Sequence, residues 1–120
     1  AGPTGSTGPA GPGGPAGAIG PAGSPGATGL AHVTRVISGD FPAPAGQQSS
    51  GGVTCPSGQK AIGGGADVES LATGVNLNSS FPDASSSAAG APIDSWVAFV
   101  NNATTAPTTF AVFAICASTD

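Results

Sequence analysis

Residues 2–31 read GPTGSTGPAGPGGPAGAIGPAGSPGATGLA, and glycine occupies every third position of this segment. Where three polyproline II chains wind around a common axis, only a hydrogen atom fits beside the axis, so each chain must supply glycine with this period. The segment also contains six prolines, whose rings hold φ near the polyproline II value. The sequence therefore predicts a triple helix with ten axial glycines: Gly2, Gly5, Gly8, Gly11, Gly14, Gly17, Gly20, Gly23, Gly26 and Gly29.

The remaining positions of the repeat bear on its source and on a competing interpretation. Proline directly follows glycine five times and occupies the third position of a triplet once. Animal collagens depend on hydroxyproline at that third position, so this pattern indicates a bacterial or phage source without prolyl hydroxylation. A disordered Gly/Pro/Ala tether would share the composition but not the unbroken period. We therefore expect a collagen-like stalk over residues 1–31, formed by three chains.

Residues 32–120 have the patterns of short β-strands. The segments 96–100 (WVAFV) and 108–117 (TTFAVFAICA) flank a turn-like stretch, as in a β-hairpin, whereas 39–52 and 79–92 have the composition of loops. Both faces of segment 108–117 are apolar, so one face can line a core and the other is available to neighbouring subunits. No segment shows helical periodicity. The sequence predicts a homotrimeric all-β domain, a sandwich or jelly roll, that serves as the head of the stalk.

Two cysteines, Cys55 and Cys116, indicate an oxidising compartment and one disulfide. Two buried free thiols are the alternative. A metal pair is a poorer interpretation, because the single histidine, His32, lies far from both cysteines in the sequence.

Charge is sparse, with two cations and six anions in 120 residues. Two cations cannot form the basic surface that nucleic acids need, nor a polybasic contact with a membrane surface. No apolar run approaches the length that crosses a bilayer. We therefore expect neither nucleic acid binding nor membrane insertion.

No arrangement of residues predicts catalysis. A Ser-His-Asp site would have to use His32, at the junction of stalk and head. Asp67 and Glu69 could form a carboxylate pair or a Ca²⁺ site, but their neighbours add few oxygen ligands, and a solvated strand edge is the better interpretation. The run Gly63–Gly65 could form an anion-binding nest, although a bulge or a close chain crossing is favoured. We expect no enzyme activity, no cofactor and no metal.

Two features are candidates for ligand contact. Trp96 is the only tryptophan, and it could stack on a sugar ring, although in a chain with so few large side chains it serves better as a core anchor. The serine-rich segment 78–90 includes Ser85, Ser86 and Ser87, and adhesive domains commonly bind through such loops.

Three segments, 53–66 (VTCPSGQKAIGGGA), 96–102 (WVAFVNN) and 110–117 (FAVFAICA), resemble a β-rich domain of secreted actinobacterial proteins that often carry collagen-like repeats. The triplet segment separately resembles the collagen-like stalks of bacterial and phage proteins. These resemblances imply a disulfide between Cys55 and Cys116 and a stalk-plus-head layout. They also imply heads that commonly trimerise and are sometimes adhesive, and they supply no established activity.

Together these features predict an extracellular structural protein, whether secreted, attached to the cell surface or part of a phage fibre. Its β-domain would drive homotrimer formation through head and stalk and set the register of the chains, because joining chains raises their local concentration. The alternatives are an adhesin whose head binds a surface glycan or receptor, and a subunit that assembles further into filaments.

Overall fold

The computed structural model describes residues 2–26 and 29–119. Ala1, Ala27, Thr28 and Asp120 lie outside the described residues, and with them two positions of the ninth triplet and the outer limits of both predicted domains. The molecule is extended, with principal dimensions of 122 × 33 × 20 Å. Residues 2–26, 29 and 30 form neither helix nor strand and are exposed throughout.

The predicted collagen-like triple helix is wrong. Its described residues, 2–26, 29 and 30, are extended, and a Cβ atom built on any of the ten triplet glycines would have no heavy atom beyond its chain neighbours within 4 Å. The crowding at a shared axis, which makes glycine obligatory in a triple helix, is therefore absent. The glycine period makes a chain sterically compatible with a triple helix, but it does not by itself bring three chains together.

The remaining chain forms seven antiparallel strands in two sheets. In sheet A, β7 (Thr108–Ser118) is central, with β4 (Lys60–Val68) on one side and β1 (Ala31–Ile37) and β2 (Phe41–Ala43) in succession on the other. In sheet B, β6 (Ser95–Asn102) lies between β3 (Gln47–Thr54) and β5 (Val75–Asp83). The β-rich fold is confirmed, but an eight-stranded jelly roll is not formed within the described residues. The strands pair within one chain, so the fold does not require the predicted homotrimer.

The core lies between the two sheets. From sheet A, β7 contributes Phe110, Val112, Ala114 and Cys116, which are fully buried. The facing side chains of sheet B are Ala98 and Val100 of β6 and Val75 of β5, and Ala43 of β2 in sheet A packs in the same core. Alternation along β7 therefore separates a core face from an outer face, as its two apolar faces predicted.

The predicted hairpin between segments 96–100 and 108–117 is wrong, because β6 and β7 belong to different sheets. The connection crosses the end of the sandwich around Asn102, which is buried. Its amide nitrogen donates to the carbonyl oxygens of Ala43 (2.8 Å) and Ala106 (2.9 Å). These hydrogen bonds satisfy the buried side-chain amide of Asn102, and they hold the chain where it crosses from one sheet to the other.

The predicted loops 39–52 and 79–92 were also partly wrong. The first contains β2 and most of β3, and the second contains the end of β5. The weak strand sequence QQSSGG of β3 is paired along its whole length with β6. Gly51 also has a packing role, since a Cβ there would overlap the Phe41 ring. Tertiary pairing overrides local propensity at both places.

The predicted disulfide is confirmed: Cys55 and Cys116 are bonded, with Cα atoms 5.8 Å apart. Because Cys55 follows β3 and Cys116 lies in β7, the bond joins the two sheets. It is consistent with an oxidising environment.

One end of the sandwich, which we call the stalk end, receives the repeat. Ala31 pairs with Ser118 and Lys60 with Ala117 at this end. The amide of Cys55 donates to the Asp94 carbonyl oxygen (2.7 Å), so the segment that follows β5 returns to the same end.

Candidate binding surfaces

Trp96 lies between the sheets, and its indole is committed to the core. It packs against both groups of buried core side chains and covers Gly64 of β4, where an added Cβ would overlap the indole. Its indole nitrogen donates to the Ser80 hydroxyl oxygen at 2.7 Å. This geometry corresponds to the core-anchor interpretation, since the ring is half-buried and its polar atom is satisfied.

Ser85, Ser86 and Ser87 are exposed at the stalk end, in the segment after β5. The Ser85 amide and hydroxyl donate to the two carboxylate oxygens of Asp94, at 2.7 and 2.5 Å. The Ser95 hydroxyl donates to the same carboxylate at 3.1 Å. The Ser85 hydroxyl, followed by the Ser85 amide, lowers the pKa of Asp94, because both hydrogen bonds favour the ionised carboxyl. Ser85 thus fixes the start of the segment between β5 and β6 to the Asp94 carboxylate.

The glycine run occupies β4 beside a bulge between Ala61 and Gly63. Gly64 faces the core under Trp96, whereas Gly65 faces outward, where a Cβ would lie 2.9 Å from the tip of the Phe113 ring. The glycines therefore serve close packing on both sides of the strand. His32 is exposed in a bulge of β1, with φ of 52°.

A cavity of about 240 Å³ lies at the stalk end between residues 55–60 and the segment containing Pro92 and Asp94. Lys60 lies at its wall, and the amide oxygen of Gln59 is buried without a hydrogen-bond partner among the described residues. Across those residues no group of three or more His, Cys, Asp or Glu side chains could hold a metal ion.

The outer face of sheet A, which we call face A, is largely apolar. In one row across the strands, Ile37 pairs with Phe113 and Phe113 with Gly65. In the next row, Arg35 pairs with Ile115, and Ile115 pairs with Gly63 on β4.

Large apolar side chains of sheet A are open to solvent. Ile37 is 51% exposed, and Ile62, at the bulge of β4, is 47% exposed. Charge lies at the margins of sheet A, with Arg35 on β1 and with both Lys60 and Asp67 on β4. Face A thus has an apolar centre with charges of both signs at its margins.

The outer face of sheet B, which we call face B, has a different chemistry. One row consists of three amides: the Gln48 amide nitrogen donates to the Asn101 oxygen (2.9 Å), and the Asn101 nitrogen donates to the Asn76 oxygen (3.3 Å). The other rows contain Ser50, Phe99 and Ser79, and then Gly52, Val97 and Phe81.

The rings of Phe81 and Phe99 are nearly parallel, with an interplanar angle of 19° and centroids 6.1 Å apart. Sequence reasoning missed this face. The alternation of Val97, Phe99 and Asn101 indicates a shared face on β6, but nothing local shows which residues of β3 and β5 lie beside them.

No family model, no curated protein and no solved structure matches this chain. Among the described residues no helix is long and apolar enough to cross a membrane.

Proposed function

We propose that this chain is an extracellular structural protein in which the β-domain associates with two further copies as a homotrimer and the Gly-X-Y repeat is an extended spacer. The observation that carries the proposal is the exposed apolar centre of face A. Contact between copies would remove Ile37, Phe113 and Ile115 from water, and burial of apolar surface is the main driving force of such association.

The charges on face A favour a second copy of this chain as the partner that covers this face. Arg35 and Asp67 lie on opposite edge strands of one face, so a rotated copy can bring its own Asp67 towards Arg35. The chain has one other cation, Lys60, which also lies on sheet A.

The disulfide and the few charges support a location outside the cell, whether secreted, at the cell surface or in a phage fibre. The repeat ends at the start of β1, an edge strand of sheet A, so association of heads through this sheet would place three spacers near one another. Further assembly of trimers into fibres stays a prediction.

Sedimentation velocity of the full chain tests the proposal. We expect a trimer for the wild type and a monomer for Ile37→Asp, because the substitution puts a charge into the apolar centre. The matched control is Leu71→Asp, since Leu71 is fully exposed between β4 and β5. A monomeric wild type, or an Ile37→Asp variant that stays trimeric, would contradict association through face A.

A second candidate role is an adhesive head that binds a surface glycan or receptor. Face B favours it, because this face presents aromatic rings and ordered amides side by side. The two roles are compatible, since a trimer would make weak sites multivalent. No catalytic step or cofactor is part of either proposal.

A further inference from the structure

We propose that face B is a binding site for an uncharged saccharide, with the sugar ring on Phe81 and Phe99 and its hydroxyls on the Gln48–Asn101–Asn76 row. This inference rests on the second candidate role and names its ligand class and contact residues. It places the site away from Trp96 and from the loop with Ser85–Ser87.

The amide row is ordered by its own hydrogen bonds. Asn101 accepts from Gln48 and donates to Asn76, which fixes the orientation of all three groups. Within the described part of the chain, the Gln48 oxygen and the Asn76 nitrogen make no further hydrogen bond. The row therefore offers an acceptor at one end and a donor at the other. A sugar hydroxyl both donates and accepts, so neighbouring hydroxyls of one ring complement the two ends.

The aromatic pair supplies the apolar half of the site. Phe81 is 39% exposed, and its ring is stacked on that of Phe99, so a sugar would contact the side of the pair that faces solvent. An aromatic face carries partial negative charge and attracts the C–H groups on the apolar face of a sugar. Residues two apart on one strand are separated by about 6.8 Å, so Phe99 and Asn101 can contact the face and the edge of the same ring.

The charge distribution selects a neutral ligand. Both cations of the chain, Arg35 and Lys60, lie on sheet A, and the net charge is −4. The nearest charged position on β5 is Asp83, which pairs with Ser95 at the stalk end of sheet B. A sulfated or carboxylated saccharide would find no cation on face B and would be repelled. Unlike face A, face B also exposes amides that an apolar partner would leave unsatisfied.

The first experiment is a ¹H–¹⁵N correlation titration of the full chain with neutral oligosaccharides at millimolar concentration. The probes are cellohexaose, maltohexaose, xylohexaose, mannohexaose and chitohexaose, with a heparin hexasaccharide as the anionic comparison. We expect at least one neutral probe to shift amides in segments 48–52, 76–81 and 97–101, and heparin to shift none of them. Shifts confined to other segments, or no shift with any neutral probe, would overturn the inference.

Two variants test the contacts. Asn101→Asp keeps the size of the side chain, but it removes the donor to Asn76 and adds a charge, so we expect affinity for the active probe to fall roughly tenfold or more. Phe81→Ser removes an exposed ring, with a similar expected loss. The control is Asp40→Asn, an exposed position between β1 and β2 with no role in either proposed site, which should bind as the wild type does. Thermal unfolding of each variant verifies the fold, and unchanged affinity in both face B variants would overturn the inference.

Measurement of the oligomeric state distinguishes a failure of the saccharide proposal from a failure of the proposed homotrimer. A chain that trimerises but binds no neutral probe would overturn the saccharide site and leave association through face A intact. Shifts on face B that depend on protein concentration without sugar would identify a second copy as the occupant, and they would also overturn the saccharide site.

Discussion

Gly64 shows how a single hydrogen atom decides packing between the sheets. A Cβ at this position would overlap the Trp96 indole and lie 2.6 Å from the Phe113 carbonyl oxygen, which is backbone and cannot turn aside. Nothing in the run Gly63–Gly65 by itself indicates this contact. Only the pairing of β4 with β7, together with the position of β6 in the opposite sheet, places an indole over the second glycine.

We predict that Gly64→Ala lowers the free energy of unfolding by about 1–3 kcal/mol, because overpacking a closed contact forces backbone or indole to shift. The matched control is Gly63→Ala. Its Cβ would meet only Ile115, at 3.8 Å, so we expect a change within about 0.5 kcal/mol. Urea unfolding monitored by tryptophan fluorescence measures both. Equal transition midpoints for the two variants would contradict the packing argument.

Among the elements, the strands differ in how far their sequences reveal them. The segment predicted at 108–117 is β7 (Thr108–Ser118), because eight apolar residues on both faces indicate a central strand. The β3 sequence QQSSGGVT has little strand propensity, and it is a strand because β6 provides its hydrogen-bond partners. The connection between β5 and β6 is held by the carboxylate of Asp94, which the sequence does not distinguish from other exposed acids.

The Asp94 anchor predicts a pH dependence for this connection. The hydrogen bond from the Ser85 hydroxyl is the largest cause that lowers the pKa of Asp94, followed by the Ser85 amide. A carboxyl whose pKa is lowered on folding stabilises the fold above its unfolded pKa, and that contribution disappears as the pH falls through the lowered value. Acid below about pH 4 should therefore loosen the Ser85 end of this connection, whereas the backbone hydrogen bonds of Ile93 and Asp94 do not titrate and should persist.

Ser85→Ala should raise the pKa of Asp94 towards its ordinary value of 3.8. NMR titration of the Asp94 side-chain carboxyl measures this shift, and Ser86→Ala is the control, because the Ser86 hydroxyl accepts from the Ala88 amide and, among the described residues, makes no hydrogen bond to Asp94. An unchanged Asp94 titration in Ser85→Ala would contradict the assigned cause.

At the scale of the whole molecule, the disulfide joins the two sheets across a sequence separation of 61 residues. Closing a loop of this length restricts the unfolded chain, and the chain-entropy estimate is about 4 kcal/mol. Cys116 is fully buried and Cys55 is only 6% exposed, so both ends of the disulfide are shielded from solvent.

We predict that the double variant Cys55→Ala/Cys116→Ala lowers the free energy of unfolding by about 4 kcal/mol. Urea unfolding measures the loss, and treatment of the wild type with a reducing agent under unfolding conditions should reproduce it. The reducing agent should leave the double variant unchanged. A double variant as stable as the oxidised wild type would show that the link does not stabilise the head.

The sequence alone was sufficient for the β-rich class, the cysteine pair and the two-faced character of β7. Each of these depends on local chemistry: β-branched and aromatic alternation, two thiols in an oxidising context, and apolar residues at consecutive positions of one strand. The tertiary structure decided that β6 and β7 face each other across a core instead of forming a hairpin, and that the described residues of the Gly-X-Y repeat are extended and outside the sandwich. It also decided that Gln48, Asn76 and Asn101 share a row. These outcomes depend on contacts between residues far apart in the chain, or on the presence of other chains, and local periodicity does not encode either.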